Sequence, residues 1–512
     1  GNAMKYKVYG IVSICLAFVV IASSLWFTRS EKKERYHQHL MAEPKAACSH
    51  SDDLFCTHLP LLQINTNGVT IPGDPIYDAN GKRIGYTTTE SGESELLCNL
   101  SVTDNHAQNN HINDTPSVES SARIRIRGNS SRKFDKKGYS ITLVTDSGEN
   151  NPQEMMGMDA HHEWVLHGPF LDKTLIRNYM CYNLAGQIMS YAPNVRFCEV
   201  LINGEYNGLY LMVESITAGN AGARLDIKVD RKDNSYSGYV IRLDRGSETP
   251  IKNIVPFSLY SMRKSTGGFN IIYPGTANLN EQLVESITQD FSNFEHMLYT
   301  YDFDHSEYGY SKTIDVDSFV NYFLINEFTS NSDAGNYSTY IYKGTNGKYR
   351  MCVWDFNNAF DNYQEQAIDH ETFLLHESLW FNMIIKDKDF TERVIKRYHE
   401  LRKTYFSDDY LNNYIDETIA YLGDAIDRNF EKWGYTFESD HNLLYPTTRN
   451  LRSYDEAVAQ LKGYIASRGA WMDENIDVLR KYSANSKTKL AKEHTRYKGE
   501  KKKKSLLSLY AV

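Results

Sequence analysis

The chain has 512 residues, with 65 acidic against 56 basic side chains and a formal net charge of −9. That balance provides no general positive surface, so the composition does not point to a nucleic-acid binder. A charged share of 24% and a hydrophobic share of 41% are those of a globular protein, long enough for two or three domains or one large two-lobed unit.

Residues 8–27, VYGIVSICLAFVVIASSLWF, carry no charge. About 20 helical residues cross a bilayer core, and neither an A-x-A-like exit nor a lipobox-like cysteine follows, so 1–28 is read as an uncleaved membrane anchor. Lys5 and Lys7 precede the run. Arg29, Lys32, Lys33 and Arg35 follow it and outnumber them, so positive charge does not set the orientation; the body is expected outside the cytoplasm. Gly1, Asn2 and Ala3 before Met4 read as a cloning remnant, which makes Met4 the expected native start. Cys15 lies in the apolar run. The other six cysteines are an even number, compatible with disulfides in an oxidising compartment. Cys181, Cys198 and Cys352 sit in apolar runs and suit free buried thiols equally well. The cysteine spacing does not resemble a zinc pattern.

Residues 29–58 read as a polar stalk. From Leu59 the chain becomes strand-like: LPLLQINT and SARIRIRG alternate with period two, and GYSITLV continues the sheet. Between the first two, 88–120 is rich in Ser, Asn, Glu and His and reads as a long exposed loop. A helix is expected over 174–190, with Asp172 or Thr174 as its cap. VRFCEVLI and GLYLMVES follow, joined by a hairpin at Asn203-Gly204-Glu205, and SGYVIRL adds a strand. Residues 246–270 look loop-rich. Amphipathic helices are expected over 280–300 and 315–330. One hairpin interrupts them, YSTYIYK and KYRMCVWDF around Asn346-Gly347, and beyond residue 370 only helices are expected, to about Tyr482. The fold class expected is α+β. A sheet-rich N-terminal lobe over 59–245 precedes a helical C-terminal lobe over 246–485, and a solvated basic tail occupies 486–512.

The chemistry concentrates on either side of that hairpin. Before it stands Asn331-Ser332-Asp333-Ala334-Gly335-Asn336; after it stands Trp354-Asp355-Phe356-Asn357-Asn358-Ala359-Phe360-Asp361. Singly, each acid suits an ordinary turn. Antiparallel pairing should nevertheless bring Asp333 and Asp355 to one end. Hard cations such as Mg²⁺ are held by one or two carboxylates plus phosphate oxygens, and phosphoryl transfer needs that metal, a carboxylate near the attacking hydroxyl and a cation on the phosphates. Asp333 is thus a candidate base and Asp355 a candidate metal ligand, with Asn336 and Asn357 as amide ligands beside it. Trp354 is taken as a nucleotide-side neighbour. For the cation, Arg127 ends one strand and Lys137 precedes the next. Glu214 is a candidate partner for such a lysine. Arg177 suits a phosphate clamp or a structural salt bridge equally well.

Taken in order, RGNSS with KKGYSITL, LDKTLIRNYMCYNLA, VLINGEYNGLYLMVES, NSDAGNYSTYIYK, VWDFNNAF and the late IASRGAWMDENI with Arg468 make a chain that resembles the spore-coat protein H (CotH) kinase family over roughly 59–480. The resemblance implies an atypical protein-kinase-like fold that binds ATP with Mg²⁺ (or Mn²⁺) and phosphorylates serine or threonine of a protein. It gives Asp333 the place of the catalytic-loop acid and Asp355 that of the metal acid, and matches Arg127, Lys137 and Glu214 to N-terminal-lobe positions. Two positions depart from it: Arg132 stands where an aromatic is usual, and Asn357 where a second acid is usual. Neither G-x-G-x-x-G nor H-R-D is present. The alternative from another class is a surface or coat-type binding module that keeps the fold without catalysis.

Overall fold

A computed structural model describes residues 14–15, 34–51, 53–219, 224–245 and 268–484. The 8–27 run, apart from Ile14 and Cys15, and the basic tail lie outside the described residues, as does 246–267. Among the described residues no helix is long and apolar enough to cross a membrane.

Seven strands form a closed barrel. They are β1 (Leu61–Asn65), β2 (Leu96–Thr103), β3 (Val118–Arg127), β4 (Gly138–Val144), β5 (Glu163–His167), β6 (Val195–Ile202) and β7 (Glu205–Glu214), in the order β5-β7-β6-β1-β2-β3-β4 with β4 returning to β5. Every neighbouring pair is antiparallel except β1 with β6. The period-two pattern has a direct cause. Cys98, Leu100 and Val102 of β2, Ala122, Ile124 and Ile126 of β3, and Tyr210 and Met212 of β7 fill one hydrophobic cluster. The alternate residues Val195 and Phe197 of β6 and Leu209, Leu211 and Val213 of β7 join a second, larger one. These two strands are therefore apolar on both faces, which is why VRFCEVLI and GLYLMVES read as nearly continuous apolar runs. Their joint is the expected two-residue turn: Asn203 and Gly204 have φ of +52° and +80°, and Ile202 pairs with Glu205.

Two barrel strands were not expected. β2 lies inside the stretch read as a loop, because its outward residues Asn99 and Ser101 are polar while the inward set is spaced by two. β5 is short and begins with a charge.

The large cluster is built around α1 (Arg177–Ile188), buried on nearly every side. The helix starts later than residue 174 because Asp172 folds over its entrance: its carboxylate accepts the N–H groups of Thr174 and Arg177 at 3.1 and 2.9 Å. A four-stranded antiparallel sheet packs into the same cluster. It comprises β8 (Tyr239–Asp244), β9 (Gly268–Tyr273), β10 (Thr339–Lys343) and β11 (Tyr349–Cys352), in the order β9-β8-β10-β11. Around it lie α2 (Glu281–Leu298), α3 (Val316–Phe328), α4 (Lys388–Arg402), α5 (Asp408–Leu422), α6 (Asp424–Trp433) and α7 (Tyr454–Asn475). Polar residues open most of these helices: the side chains of Asn280, Asp315, Asp387, Ser407 and Ser453 accept first-turn N–H groups. Past residue 370 the described chain is helical, as expected. The fold is thus α+β.

The cysteines are free, with Cys98, Cys181, Cys198 and Cys352 buried. For Cys181, Cys198 and Cys352 the buried-thiol reading holds, and none of the described cysteines is in a disulfide.

One ion pair fastens the helices to the loop beyond β11. Arg468 of α7 and Glu327 of α3 are both wholly buried and meet at 2.9 Å. Arg468 also donates to the carbonyls of Glu327, His370 and Thr372, while the Glu327 carboxylate accepts the N–H groups of Leu374 and Leu375. Arg468→Met leaves that carboxylate without its cation and is expected to lower the unfolding free energy by about 3–5 kcal/mol, seen as a lower urea midpoint at unchanged m-value.

Candidate functional site

Helix α3 ends in a tight exit. The N–H of Ser330 bonds to Glu327 O and that of Asn331 to Asn326 O at 3.0 and 2.9 Å, with Ser330 at φ +50°. This is the Schellman pattern, with serine where glycine is usual. The exit turns the chain into the 331–337 loop, so Asp333 stands just before β10. Tyr340 pairs with Cys352 across the hairpin, and Leu243 pairs with Thr339 on the other side. The end of β8, the start of β10 and the end of β11 therefore share one edge of the sheet, which brings together Asp244, Asp333 and Asp355.

Asp355 has φ +61°, a conformation that asparagine and aspartate tolerate best among residues with a side chain. Several partners hold the turn there. Tyr182 Oη accepts the Asp355 N–H at 3.0 Å, Asn178 Oδ1 accepts that of Phe356 at 2.7 Å, and Asn331 Nδ2 donates to the Asp355 carbonyl at 3.1 Å. The Asn357 N–H donates to Asp355 Oδ1 at 2.9 Å. Just beyond, Arg177 donates to the carbonyls of Ala359 and Phe360 while pairing with Asp172 at 2.6 Å. It thereby serves as the structural clamp of this loop.

Both acids are recessed: each keeps some solvent contact yet is packed by protein on most sides. Burial, then the charges of Asp355 and Asp244, push the Asp333 carboxyl up to about 7; Arg245 and a hydrogen bond with Asn358 pull the other way. Burial also raises Asp355, against the N–H of Asn357 and the charge of Arg127. Arg127 projects from the outer face of β3, opposite in parity to the core residues Ile124 and Ile126, and lies 5.4 Å from the Trp354 ring. Trp354 packs edgewise on Tyr182 and at a tilt to Tyr340. Nearby, the Oδ1 of Asn331, a residue 2% exposed, has no hydrogen-bond partner among the described residues.

The expected residues thus fall into two sets. Asp333, Asp355, Arg127, Trp354 and the backbone of Asn357 meet at one place. The side chain of Asn357 accepts from Asn178 Nδ2 at 3.1 Å, and Asn178 in turn contacts His167. Asn336 donates its amide to the Ser332 carbonyl at 3.3 Å, which shapes the Asp333 turn. Lys137 pairs with Asp74 at 2.9 Å and donates to the Arg132 carbonyl. Its neighbour Lys136 is buried and donates to Pro169 O, Leu209 O and Asn429 Oδ1. Glu214 accepts both N–H groups of Asn194, at 2.7 and 2.8 Å. Asp361, the other acid of the run, pairs with Arg449 at 3.0 Å. Sequence reasoning put Asn331 at the head of the candidate stretch without giving it a role, and missed Asp244 and Asn178. Asp244 carried a usable signal, an acid closing the strand SGYVIRL; the two asparagines carried none beyond their polarity.

The description of the CotH kinase protein family fits residues 124–472, more than half of the chain and the whole of this site. The inner spore coat protein H of Bacillus subtilis (strain 168) is 22% identical over 241 residues, covering 46% of this chain and 57% of that protein. The chain therefore spans just over half the length of the curated relative it matches. With a family match of that extent laid over the acidic edge of the sheet, the chain belongs to the CotH kinase protein family.

Proposed function

We propose that this acidic edge binds a divalent cation with a nucleoside triphosphate, ATP, and passes the terminal phosphoryl group to a serine or threonine hydroxyl of a protein. The observation that carries the reading is the recessed pair Asp333 and Asp355, set at the two ends of one hairpin with Arg127 beside Asp355. We read the barrel and the sheet with its helices as the lobes of an atypical protein-kinase-like fold. The relative is named for the inner spore coat; by that likeness we place the protein at an envelope or coat surface, tethered to membrane by the 8–27 run.

The residues fit such a cation. Carboxylate and amide oxygens are hard donors that suit Mg²⁺ or Mn²⁺, and the partnerless Asn331 Oδ1 lies in the same turn. Asp355 and Asp244 would hold the metal. Bound Mg²⁺–ATP supplies the phosphoryl group and neutralises charge on its oxygens. Asp333 is suited to accept the proton of the acceptor hydroxyl, because a carboxyl near 7 is poised at neutral pH. Arg127 adds positive charge on the barrel side, and Asn357 orients Asp355 through its N–H. A second reading, a binding module without transfer, is favoured by the same Asn357: its amide is tied to Asn178 where a second carboxylate would add charge.

Incubation of the protein with labelled ATP and Mg²⁺ or Mn²⁺, against itself and a generic protein acceptor, separates the two. Incorporation into serine or threonine supports the kinase reading. Nucleotide binding without incorporation supports the binding module, and the absence of both binding and incorporation rejects the site. Asp355→Ala is expected to weaken Mg²⁺-dependent nucleotide binding by about 100-fold or more, since even residues one step behind the ligands cost 10–100-fold. Asp333→Asn is expected to keep that binding within a few-fold and to slow transfer by about 10²–10⁴-fold.

The raised carboxyl also has a signature in stability. In the metal-free folded chain Asp333 keeps its proton to about 7, whereas its ordinary value is 3.8. Between the two the unfolded chain binds fewer protons, so this group costs stability as pH rises from about 4 to about 7, and the cost is constant above that. The stability of Asp333→Asn relative to wild type should rise across that window and stay flat outside it, in urea unfolding at stepped pH with a chelator present.

A further inference from the structure

Away from the acidic edge, a second set of chemistry-bearing residues gathers where the chain enters the barrel. Cys48, His50, Cys56 and His111 each place one ligand atom so that all four lie within 4.8 Å of one another. Cys56 and His111 are brought together by strand pairing: Cys56–Thr57 runs antiparallel to Asn110–His111, with Cys56 directly opposite His111. Cys48 and His50 arrive on the preceding segment, which is fastened by Ala46 N to Ala107 O at 2.9 Å and Lys45 Nζ to Asn105 O at 2.6 Å. Cys48 Sγ lies 3.0 Å from His111 Nε2, and the two imidazole rings stand edge to face at 5.1 Å.

The surroundings orient both imidazoles. His111 Nδ1 lies 3.1 Å from Asp114 Oδ2, and the same oxygen accepts the His111 backbone N–H at 2.9 Å. His50 Nδ1 lies 2.7 Å from the Ser51 carbonyl, which can only accept. Each ring in its neutral form therefore carries its proton on Nδ1 and its lone pair on Nε2, the arrangement that carboxylates and carbonyls impose on metal-bound histidines. On the sulfur side, Asn109 Nδ2 donates to Cys56 Sγ at 3.2 Å.

We propose that these four residues bind one Zn²⁺ as a structural site. Two thiolates and two imidazoles are a preferred tetrahedral set, with bonds of about 2.3 Å to sulfur and 2.0–2.1 Å to nitrogen. Ligand atoms on such a sphere lie roughly 3.5 Å apart, so small side-chain adjustments close the cluster. Two thiolates leave the occupied site neutral. Four protein ligands leave no position for water or substrate, which makes the role structural rather than catalytic. The zinc would fasten the segment before the barrel to the excursion between β2 and β3. A Cys48–Cys56 disulfide is the competing chemistry, but it makes no use of two oriented imidazoles.

The test is metal analysis of the full chain, purified under reducing conditions without chelator. About one zinc per chain is expected, falling below about a tenth in Cys48→Ser/Cys56→Ser. His106→Ala, which alters an exposed neighbour outside the cluster, should retain it. Replacement by Co²⁺ should give the intense visible bands of a tetrahedral site with sulfur-to-cobalt charge transfer, a readout that needs no variant to fold. Wild-type chain that neither contains nor takes up zinc, cobalt spectra of an octahedral site, or peptide mapping that finds Cys48 joined to Cys56 in protein kept reduced would each overturn the proposal. So would full zinc content in the double variant.

Discussion

Two carboxylates held together away from bulk water repel each other, and that repulsion is what the rest of the fold is arranged to sustain. Left to themselves, Asp333 and Asp355 would swing apart or take on protons. Burial and mutual charge push Asp333 up to about 7. Arg127 meets part of the charge, and Asp244 adds to it. A site left short of positive charge is one that a cation can complete.

The restraint comes from groups outside the acidic cluster. Ser330 in the left-handed region ends α3 one residue before the site begins, and the same conformation at Asp355 turns the chain out of β11. Tyr182 and Asn178, from buried α1, take the N–H groups of the second turn. Arg177 ties down the carbonyls that follow, and Arg468 with Glu327 anchors the next loop. Each of these is a hydrogen-bonded polar group in an apolar setting, where an unpartnered group would cost about 1–3 kcal/mol. Satisfying them all at once leaves the turns little freedom, so the fold itself fixes where the carboxylates stand.

How much of this could be read in advance depends on the range of the interaction. The hairpin around Asn346-Gly347 is local, and with it the neighbourhood of Asp333 and Asp355. So is the turn at Asn203-Gly204. Strand β2 alternates, with Cys98, Leu100 and Val102 inward against Asn99 and Ser101, but it stands in a Ser-, Asn-, Glu- and His-rich stretch whose composition is that of a loop. Arg127 and Lys137 were alternatives for the phosphate-side cation; only the folded chain separates them, with Arg127 beside the Trp354 ring and Lys137 paired with Asp74. Asp244 could be seen as an acid closing a strand, but its place beside Asp333 and Asp355 depends on β8 pairing with β10. Cys48, His50 and Cys56 lie close in sequence, but the fourth member of that cluster, His111, is brought in by strand pairing, and pairing across a long excursion leaves no trace in local spacing.

The single parallel pair in the barrel has a consequence for how the molecule is assembled. Strand β1 is an early barrel strand, and one of its neighbours, β6, follows the whole of β2 to β5 and α1. A barrel joined this way cannot be sealed by adding hairpins in turn; its first strand has to wait, one edge unpaired, until β6 has been made. Until then the apolar faces of β6 and β7, which serve both clusters, have no partner either. Closure of the ring and growth of the helical core are in this sense one event. During synthesis the vulnerable interval runs from the emergence of β1 to that of β7, and whatever shields the open edge then matters as much as the finished structure.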